Sequence, residues 1–416
     1  MTTAKPAAGA EELREAAPAE VPLHMRRVAF DPAPELSAVR DDEGVREVVT
    51  TFGTPAWLVT RHADVKEVLG DASRFSVAGP RPLDEAVLGQ LELSAEERAQ
   101  MRAGNLLGFD PPEHTRLRRM LTPEFTVRRM RRIEPRIVEI VDDHLDAMEQ
   151  AGPPADLVAG FALPVPALVI CELLGVPYAD RAEFQERTAR QLDLSVPVPE
   201  RLQLGRQSRA YMAGLVARAQ VEPGDDLIGM LVRDHGGELT TDELVGIAGL
   251  LLVAGHETTS NMLGLGTLAL LRHPDQLALV RDEPERVPPA LEELLRWLGI
   301  VHSGMPRVTT VDVELGGRAI PAGSMLVLAL AAANRDPSVV PEPDRLDVTR
   351  DAGGHLAFGH GVHHCLGAPL ARMEMRIAFP ALLRRFPDLA LAVPFDEVGF
   401  RAFHFVYGLH SLPVTW

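Results

Sequence analysis

Cysteine is nearly absent from this chain of 416 residues, which contains only Cys171 and Cys365. Two cysteines this far apart provide no disulfide framework, which is typical of a protein that folds in a reducing cytoplasm. Cys171 lies in the apolar run 163–174 and is expected to be a small buried hydrophobic residue. Cys365 is therefore the cysteine whose surroundings need an explanation.

Positive charge and long hydrophobic runs are also scarce. The chain has 42 Lys and Arg against 59 Asp and Glu, a net charge of −17, which argues against a nucleic-acid-binding protein. The longest apolar run, Leu244–Ala254, contains glycines and is too short to cross a bilayer. We expect a cytoplasmic protein with no membrane anchor, most simply a monomer.

The domain organisation predicted from composition is simple. Residues 1–20 are rich in Ala, Glu and Pro and lack the apolar segment of a signal peptide, so we expect a disordered tail. No linker divides residues 21–416, which are expected to form one domain. Within it, residues 76–105 show no sustained period, and irregular segments of this length are usually functional.

Cys365 lies in a glycine-rich stretch, with Gly359, Gly361 and Gly367 within a few residues. Glycine permits tight turns, so we expect a tight loop followed by a helix that begins near Ala368. Backbone N–H groups and the positive end of that helix would favour a thiolate, which is a soft metal ligand. The alternative is an ordinary buried cysteine in a glycine-rich turn.

A long helix is predicted from Thr240 or Thr241, as N-cap, to about Arg272. Polar residues interrupt its apolar middle at 255–259. One interpretation is a kink at Gly255 in which a threonine bonds back to the backbone. His256 is expected to be structural.

Two further pairs of residues have helical spacing and opposite or similar charge that could give them a role. His114 and Arg118 share one face of a helix expected over 110–121, where they either bind carboxylates or form a solvated basic face. Glu293 and Arg296 form an i,i+3 pair that any helix surface can carry.

The string Phe358-x-x-Gly361-x-His363-x-Cys365-x-Gly367 resembles the haem-binding signature of cytochrome P450 enzymes. The resemblance implies a mainly α fold with small β-sheets (α+β). It also implies that haem b lies between the long oxygen-activating helix and the helix after the cysteine loop, with Cys365 as the axial thiolate ligand of the iron. The chain is most similar to actinobacterial members that tailor natural products or oxidise foreign compounds.

The same resemblance implies roles for individual residues. Glu257 and Thr258 match the acid–alcohol pair that delivers protons during oxygen activation, with Thr259 a weaker candidate. Glu293, Arg296 and Arg345 are expected to form a structural network. The implied cofactor-binding residues are His114, Arg118, Ala254, Gly255, Arg307, Phe358, Gly359, His363 and Gly367.

The implied reaction inserts one oxygen atom from O₂ into a C–H or C=C bond of a bulky hydrophobic molecule, such as a macrolide, polyketide or terpenoid. A ferredoxin and an NAD(P)H-dependent reductase would supply the electrons, and the connection 194–199 would belong to a lid. The predicted pocket residues are Val87, Leu88, Leu91, Leu106, Leu107, Leu250, Val253, Ala254, Val301 and Phe405.

Other interpretations stay open at this point. Asp84, Glu85 and Glu92 either pair with a substrate amine or are solvated. Arg116, Arg119 and the arginines of 128–132 either face a redox partner or form an ordinary exposed surface. Alternative functions are oxidation of xenobiotics or steroids, a non-hydroxylating haem-thiolate enzyme (nitric oxide reductase, peroxygenase or oxidative coupling enzyme), and a haem sensor or carrier.

Overall fold

A computed structural model of the chain describes residues 21–50, 53–79 and 93–416. The predicted tail, 1–20, lies outside the described residues, and the division into tail and domain stays a prediction. The pocket candidates Val87, Leu88 and Leu91, and the acidic residues Asp84, Glu85 and Glu92, also lie outside them.

Helices make up most of the described chain, as predicted. In order they are α1 (Pro34–Asp42), α2 (His62–Gly70), α3 (Ala95–Arg102), α4 (Glu113–Leu121), α5 (Val127–Met130), α6 (Glu134–Ala151), α7 (Pro164–Leu174), α8 (Arg181–Leu192), α9 (Val198–Val221), α10 (Leu227–His235), α11 (Thr241–Arg272), α12 (Pro274–Asp282), α13 (Val287–Leu298), α14 (Leu330–Ala333) and α15 (Ala368–Arg385). A π-helical turn, Val158–Ala162, precedes α7.

The strands are short. They are β1 (Arg27–Val28), β2 (Asp31–Pro32), β3 (Val45–Val49), β4 (Pro55–Val59), β5 (Phe75–Ser76), β6 (Ala155–Asp156), β7 (Met305–Thr309), β8 (Val313–Leu315), β9 (Arg318–Ile320), β10 (Met325–Leu328), β11 (Ala390–Leu391) and β12 (Pro413–Thr415). The largest sheet has the order β3-β4-β10-β7-β5, and only the β4–β10 pair in it is parallel. This sheet places Arg307 in the middle of β7, close to one end of the cleft described below.

The start of α11 follows directly from its sequence. Thr240 is the N-cap, its side chain accepts from the N–H of Glu243, and the Glu243 carboxylate accepts from the N–H of Thr240. This capping box satisfies two backbone donors that the first turn leaves free, so the helix begins where predicted. It ends at Arg272, before His273 and Pro274. Among the described residues, no helix is both long and apolar enough to span a bilayer.

Helix α11 joins two hydrophobic clusters. Its first half, with Leu244 and Leu252, packs in one cluster with residues of α4, α7, α9 and α10. Its second half, from Met262 to Leu270, packs in the other with residues of α6, α7, α13 and α15. The stretch between Leu252 and Met262 contributes to neither cluster. The fold therefore holds both ends of the helix firmly and leaves its middle free for polar and catalytic contacts.

The alternation of apolar residues over Phe400–Tyr407 would predict a strand pair that enters the pocket, but the structure has none there. This segment, which we call the C-terminal loop together with Gly408 and Leu409, makes only isolated bridges. Its residues bridge to three different places: Phe400 to Leu409, Val406 to Val301, and His404 to Asp193. Partners that far apart prevent a continuous ladder, whatever the alternation of the side chains.

Candidate active site

The loop around Cys365 folds as its glycines predict. Gly359 and Gly361 have φ values of +71° and +70°, which L residues with side chains rarely adopt. A side chain on Gly361 would also clash with the backbone carbonyl of Leu69. The N–H of Cys365 donates to the carbonyl oxygen of Phe358 at 2.8 Å, which closes the loop two residues before α15 begins at Ala368.

Cys365 is an exposed residue, whereas Cys171 is buried in the core as predicted. Desolvation raises the pKa of the Cys365 thiol, and the N–H groups of Gly367 and Ala368 together with the charge of Arg118 oppose that rise. The predicted hydrogen bonds to the sulfur are therefore present, but desolvation outweighs them in the protein alone. A cation bound to the sulfur would supply the missing stabilisation of the thiolate.

The middle of α11 has an exposed face, formed by Leu250, Val253, Ala254 and Thr258, which we call the cleft. Ala254 is exposed, although Leu252 and His256 on either side of it are buried. Leu250 and Val253 are partly exposed, and Leu366, the neighbour of Cys365, packs against the same hydrophobic cluster as Leu250. A helix that runs through a core normally buries such apolar residues, so this opening is a binding surface.

Four basic side chains gather beside the cysteine loop: His114 and Arg118 on α4, Arg307 on β7, and His363 in the loop itself. The rings of His114 and His363 lie 4.2 Å apart between centroids. The guanidinium of Arg118 donates to the carbonyl oxygen of His364 at 2.6 Å, which ties α4 to the cysteine loop. Burial, together with the nearby charges of His114 and Arg307, lowers the pKa of His363 to about 4.

The histidines of this cluster lack hydrogen-bond partners. Both ring nitrogens of His114 and Nε2 of His363 are buried and unpaired. Buried polar atoms of native proteins nearly always have a partner, so three such atoms beside two arginines indicate a site for an anionic group. A haem supplies two carboxylates, and its iron has the charge that the Cys365 sulfur needs. The residues present therefore fit a haem.

Phe358 is held by a cluster that sequence reasoning missed. The Arg372 guanidinium lies 4.5 Å from the centroid of the Phe358 ring and forms a bidentate ion pair with Glu292, both bonds 2.7 Å long. His355 bonds the same carboxylate at 2.9 Å. These groups lower the pKa of Glu292 to about 2. The one signal in the sequence was that Arg372 follows Cys365 by two helical turns; nothing pointed to Glu292.

The acid and the alcohol of α11 face different surroundings. Thr258 is partly exposed on the face of Ala254, four residues earlier, and its hydroxyl donates to the Ala254 carbonyl at 2.9 Å. This is the back-bonded threonine considered above. Glu257 is buried, and its carboxylate lies 3.5 Å from Arg401 and 3.3 Å from the amide nitrogen of Asn261. His256 is buried against Phe184, as a structural residue should be.

Gly255 has a second reason to be glycine, beyond its place in the cleft. Any side chain there would clash with Ile170 of α7. The close approach of α7 and α11 therefore depends on this residue.

Comparison with known proteins matches this geometry. A family model described as cytochrome P450 matches residues 220–387. The chain is 52% identical over 398 residues to cytochrome P450 FAS1 of Rhodococcoides fascians, covering 96% of this chain and 99% of that protein. This chain belongs to the cytochrome P450 family.

Two further relatives bear on what P450 proteins of this kind bind. Vitamin D(3) 25-hydroxylase of Pseudonocardia autotrophica is 44% identical over 391 residues, covering 92% of this P450 and 94% of the relative. The crystal structure of CYP105P1 in complex with filipin I is 44% identical with a TM-score of 0.87, covering 94% of this P450 and 97% of that chain. The predicted fold class is thereby confirmed, and haem b is the cofactor of the family.

The predicted structural network of this P450 needs one correction. Glu293 and Arg296 are fully buried and form a bidentate pair of 2.7 and 2.9 Å, as expected. The third member is Arg350, whose Nε lies 3.2 Å from Glu293, and not Arg345. Arg345 is 59% exposed and pairs with Glu342 and Asp347 at the surface. The turn at 341–349 directs the Asp347 N–H towards Glu293 and leaves Arg345 on the outside.

The pocket candidates among the described residues differ in position. Leu106 is buried, and Leu250, Val253 and Val301 are partly exposed. Leu107 and Phe405 are exposed at 55% and 39%. Phe405 is tied to the end of α8 and the segment after it: its N–H donates to the carbonyl oxygen of Leu192 at 3.0 Å, and the N–H of Leu194 donates to that of Phe403 at 3.1 Å.

The correction to the network is testable by paired substitutions. Arg350→Ala leaves part of the buried charge of Glu293 uncompensated and should lower the free energy of unfolding by roughly 2 kcal/mol. Arg345→Ala removes only a surface pair and should change it by less than about 0.5 kcal/mol. Denaturant unfolding of the haem-loaded protein measures both, and equal effects of the two substitutions would contradict the assignment.

Proposed function

We propose that this P450 inserts one oxygen atom from O₂ into a bulky, mainly apolar small molecule, with Cys365 as the axial thiolate of its haem. The observation that carries the proposal is the cluster of basic side chains, with unpaired histidine nitrogens, in and beside the loop of the exposed Cys365. A thiolate ligand favours O–O cleavage, which distinguishes such an enzyme from a haem carrier.

The haem would be held through its iron and through its two carboxylates. Cys365 would bind the iron, and His114, Arg118, Arg307 and His363 would receive the carboxylates, because these groups are gathered beside the cysteine loop. Phe358, against which Arg372 packs, would cover the sulfur side of the haem. Gly359 and Gly367 shape the loop, and Ala254 leaves room beside α11.

The haem supplies the oxygen chemistry, and the protein supplies protons and a shaped, water-poor pocket. Thr258 holds a proton donor at the cleft, since its hydroxyl is already oriented by the Ala254 carbonyl. Glu257 lies one residue earlier and is a buried carboxylic acid. Together they can move protons from the far side of α11 to the cleft.

Thiolate ligation is tested by substituting each cysteine in turn. Cys365→Ser should abolish the absorption band, near the wavelength that names the family, in the reduced–CO difference spectrum of haem-loaded protein. Cys171→Ser is the matched control and should keep the band, because Cys171 is a buried core residue with a pKa of about 12. A full band in folded Cys365→Ser protein would refute the assignment.

The substitution Thr258→Ala tests the role of the Thr258 hydroxyl in proton delivery. Loss of the hydroxyl should lower the product formed per NAD(P)H several-fold while substrate binding is kept, because electrons are then consumed without ordered proton delivery. Thr259→Ala is the control, since Thr259 is buried and away from the cleft. Product and peroxide yields at saturating substrate measure the effect, and coupled turnover by Thr258→Ala would exclude the role.

The substrate class rests on the apolar lining of the cleft, formed by Leu250, Val253 and Val301. Relatives named for hydroxylation of vitamin D(3) and for a complex with filipin I support bulky, mainly apolar substrates. Macrolides, polyketides and terpenoids are the classes that we propose for screening.

Val253→Phe tests the location of the substrate. The larger side chain fills the cleft and should weaken binding of any spin-shifting ligand roughly tenfold. Haem content and the reduced–CO band should stay unchanged. Leu173→Phe, at a partly buried core position away from the cleft, is the control for general overpacking. Unaltered ligand affinity in Val253→Phe would place the substrate elsewhere.

Electrons would enter from a ferredoxin on the side of the cysteine helix. Arg119, Arg128, Arg131 and Arg132 are exposed, and α5 packs against α15. Arg116 is not part of this surface as first considered, because it pairs with Glu113 and Glu243. A positive surface in an acidic protein suits an acidic electron donor.

A further inference from the structure

Arg201, in the first turn of α9, is a partly buried arginine without a bonding partner. Its Nε is buried and unpaired, and within the described chain its guanidinium makes neither a hydrogen bond nor an ion pair. Burial lowers the pKa of Arg201, so the protein alone disfavours the charge at this position. Because an unpaired buried cation loses its hydration without compensation, such groups normally have an anionic partner.

The inward face of α9 carries this arginine. Leu204 and Met212 follow Arg201 by three and eleven residues, a spacing that places all three on one face of the helix. Both apolar residues are buried, and Met212 is the side chain that an added Cβ at Gly249 of α11 would contact, at 3.8 Å. Gly249 precedes Leu250, which belongs to the cleft. Arg201 therefore takes the place of an apolar residue on the face of α9 that packs against α11 beside the cleft.

The C-terminal loop lies next to Arg201. The centroid of the Phe405 ring is 6.0 Å from the guanidinium carbon of Arg201, which is the outer limit of a cation–π contact. Phe405 is itself 39% exposed, and its neighbour Val406 forms a β-bridge with Val301 of the apolar lining. This aromatic ring does not replace the hydrogen bonds that the guanidinium lacks, so the donors of Arg201 stay available to a ligand that lies against the ring.

The acidic side chains around Arg201 have other partners. The negative charge of Asp193 opposes the fall in the Arg201 pKa, but the Asp193 carboxylate accepts from the N–H and the hydroxyl of Ser195, at 2.8 and 2.6 Å. Glu200, the preceding residue, pairs with Arg190. Since α9 has no side-chain N-cap, the positive end of its helix dipole also favours an anion at this position.

We propose that Arg201 binds an anionic group of the substrate, a carboxylate or a phosphate, while the apolar cleft holds the rest of the molecule. This rests on the proposed function, since it adds one polar contact to the substrate of the same site. A planar guanidinium donates two parallel hydrogen bonds to such a group, which provides both affinity and orientation. The substrate class is then that of bulky, mainly apolar acids.

The test uses alkanoic acids that carry an imidazole at the far end, in a series of chain lengths, together with their methyl esters. The imidazole binds the haem iron and reports binding as a shift of the haem absorption, whereas the other end is either an anion or a neutral ester. At the best chain length the parent should bind the acid about tenfold more tightly than the ester, as expected for one charge-assisted contact.

Three variants of the haem-loaded protein locate the contact. Arg201→Gln should remove the preference for the acid and leave the affinity for the ester unchanged, which also shows that the variant is folded. Arg201→Lys should keep part of the preference, because an ammonium keeps the charge and loses the planar fork. Arg206→Gln is the matched control and should keep the full preference, since Arg206 lies in the same helix but is exposed and pairs with Glu97 at 3.0 Å.

Inorganic phosphate separates the two possible sources of an anion. Phosphate added at matched ionic strength should leave the preference for the acid unchanged. If phosphate abolishes that preference, Arg201 is a site for a free anion and the proposal is overturned. A crystal structure of the parent with the best acid should show its carboxylate within hydrogen-bonding distance of Arg201, and a carboxylate placed elsewhere contradicts the proposal.

The remaining outcomes separate this proposal from the proposed function. Binding of the esters without any preference for the acids in the parent refutes the contact with Arg201 alone, and so does a preference that persists in Arg201→Gln. If neither acids nor esters shift the haem absorption of a parent with a normal reduced–CO band, the proposed substrate site itself is refuted, and the contact with it.

Discussion

Helix α11 has to cross the core of this P450 and still leave one face of its middle, at Ala254, open. Exposed apolar surface costs about 25 cal/mol per Å², so a helix that opens a cleft at Ala254 loses burial there. The two hydrophobic clusters at its ends offset that loss, since nearly all residues from Thr259 to Leu270 are buried. The capping box at Thr240 fixes the first turn, and with it the register of every residue that faces the cleft.

Electrostatics impose a second constraint at the same place. The four basic side chains of this cluster come from a helix, a strand and a loop: His114, Arg118, Arg307 and His363. Bringing like charges together is unfavourable unless an anionic group binds between them. Burial lowers the pKa values of His114 and His363, and so do nearby positive charges, that of Arg118 for His114 and those of His114 and Arg307 for His363; both effects favour neutral imidazoles. Neutral rings with unpaired nitrogens are nevertheless expensive to bury. The bound carboxylates of a haem would satisfy them, so the protein is complete only with its cofactor.

Contacts between residues close in the sequence could be predicted from it, whereas ion pairs between distant residues could not. The cap at Thr240, the glycine-shaped loop before Cys365 and the shared face of His114 and Arg118 each depend on residues within a turn or two. The choice between Arg345 and Arg350 as the partner of Glu293 depends on how a turn directs its side chains, which spacing does not encode. Similarly, Glu292 and Arg372 are 80 residues apart, and only the fold brings them together.

The separation of Glu257 from Thr258 follows from helical geometry. Neighbouring residues of a helix point about 100° apart, so an adjacent acid and alcohol can serve two compartments on one rigid element. The small cavity lined by Ser260, Asn261 and Arg401 exists because several small features coincide there. The π-helical turn Val158–Ala162 lies against α11, Gly264 has no side chain, and a side chain at Gly408 would clash with Asn261. Glu257 and Thr258 therefore have different surroundings although they are adjacent in the sequence.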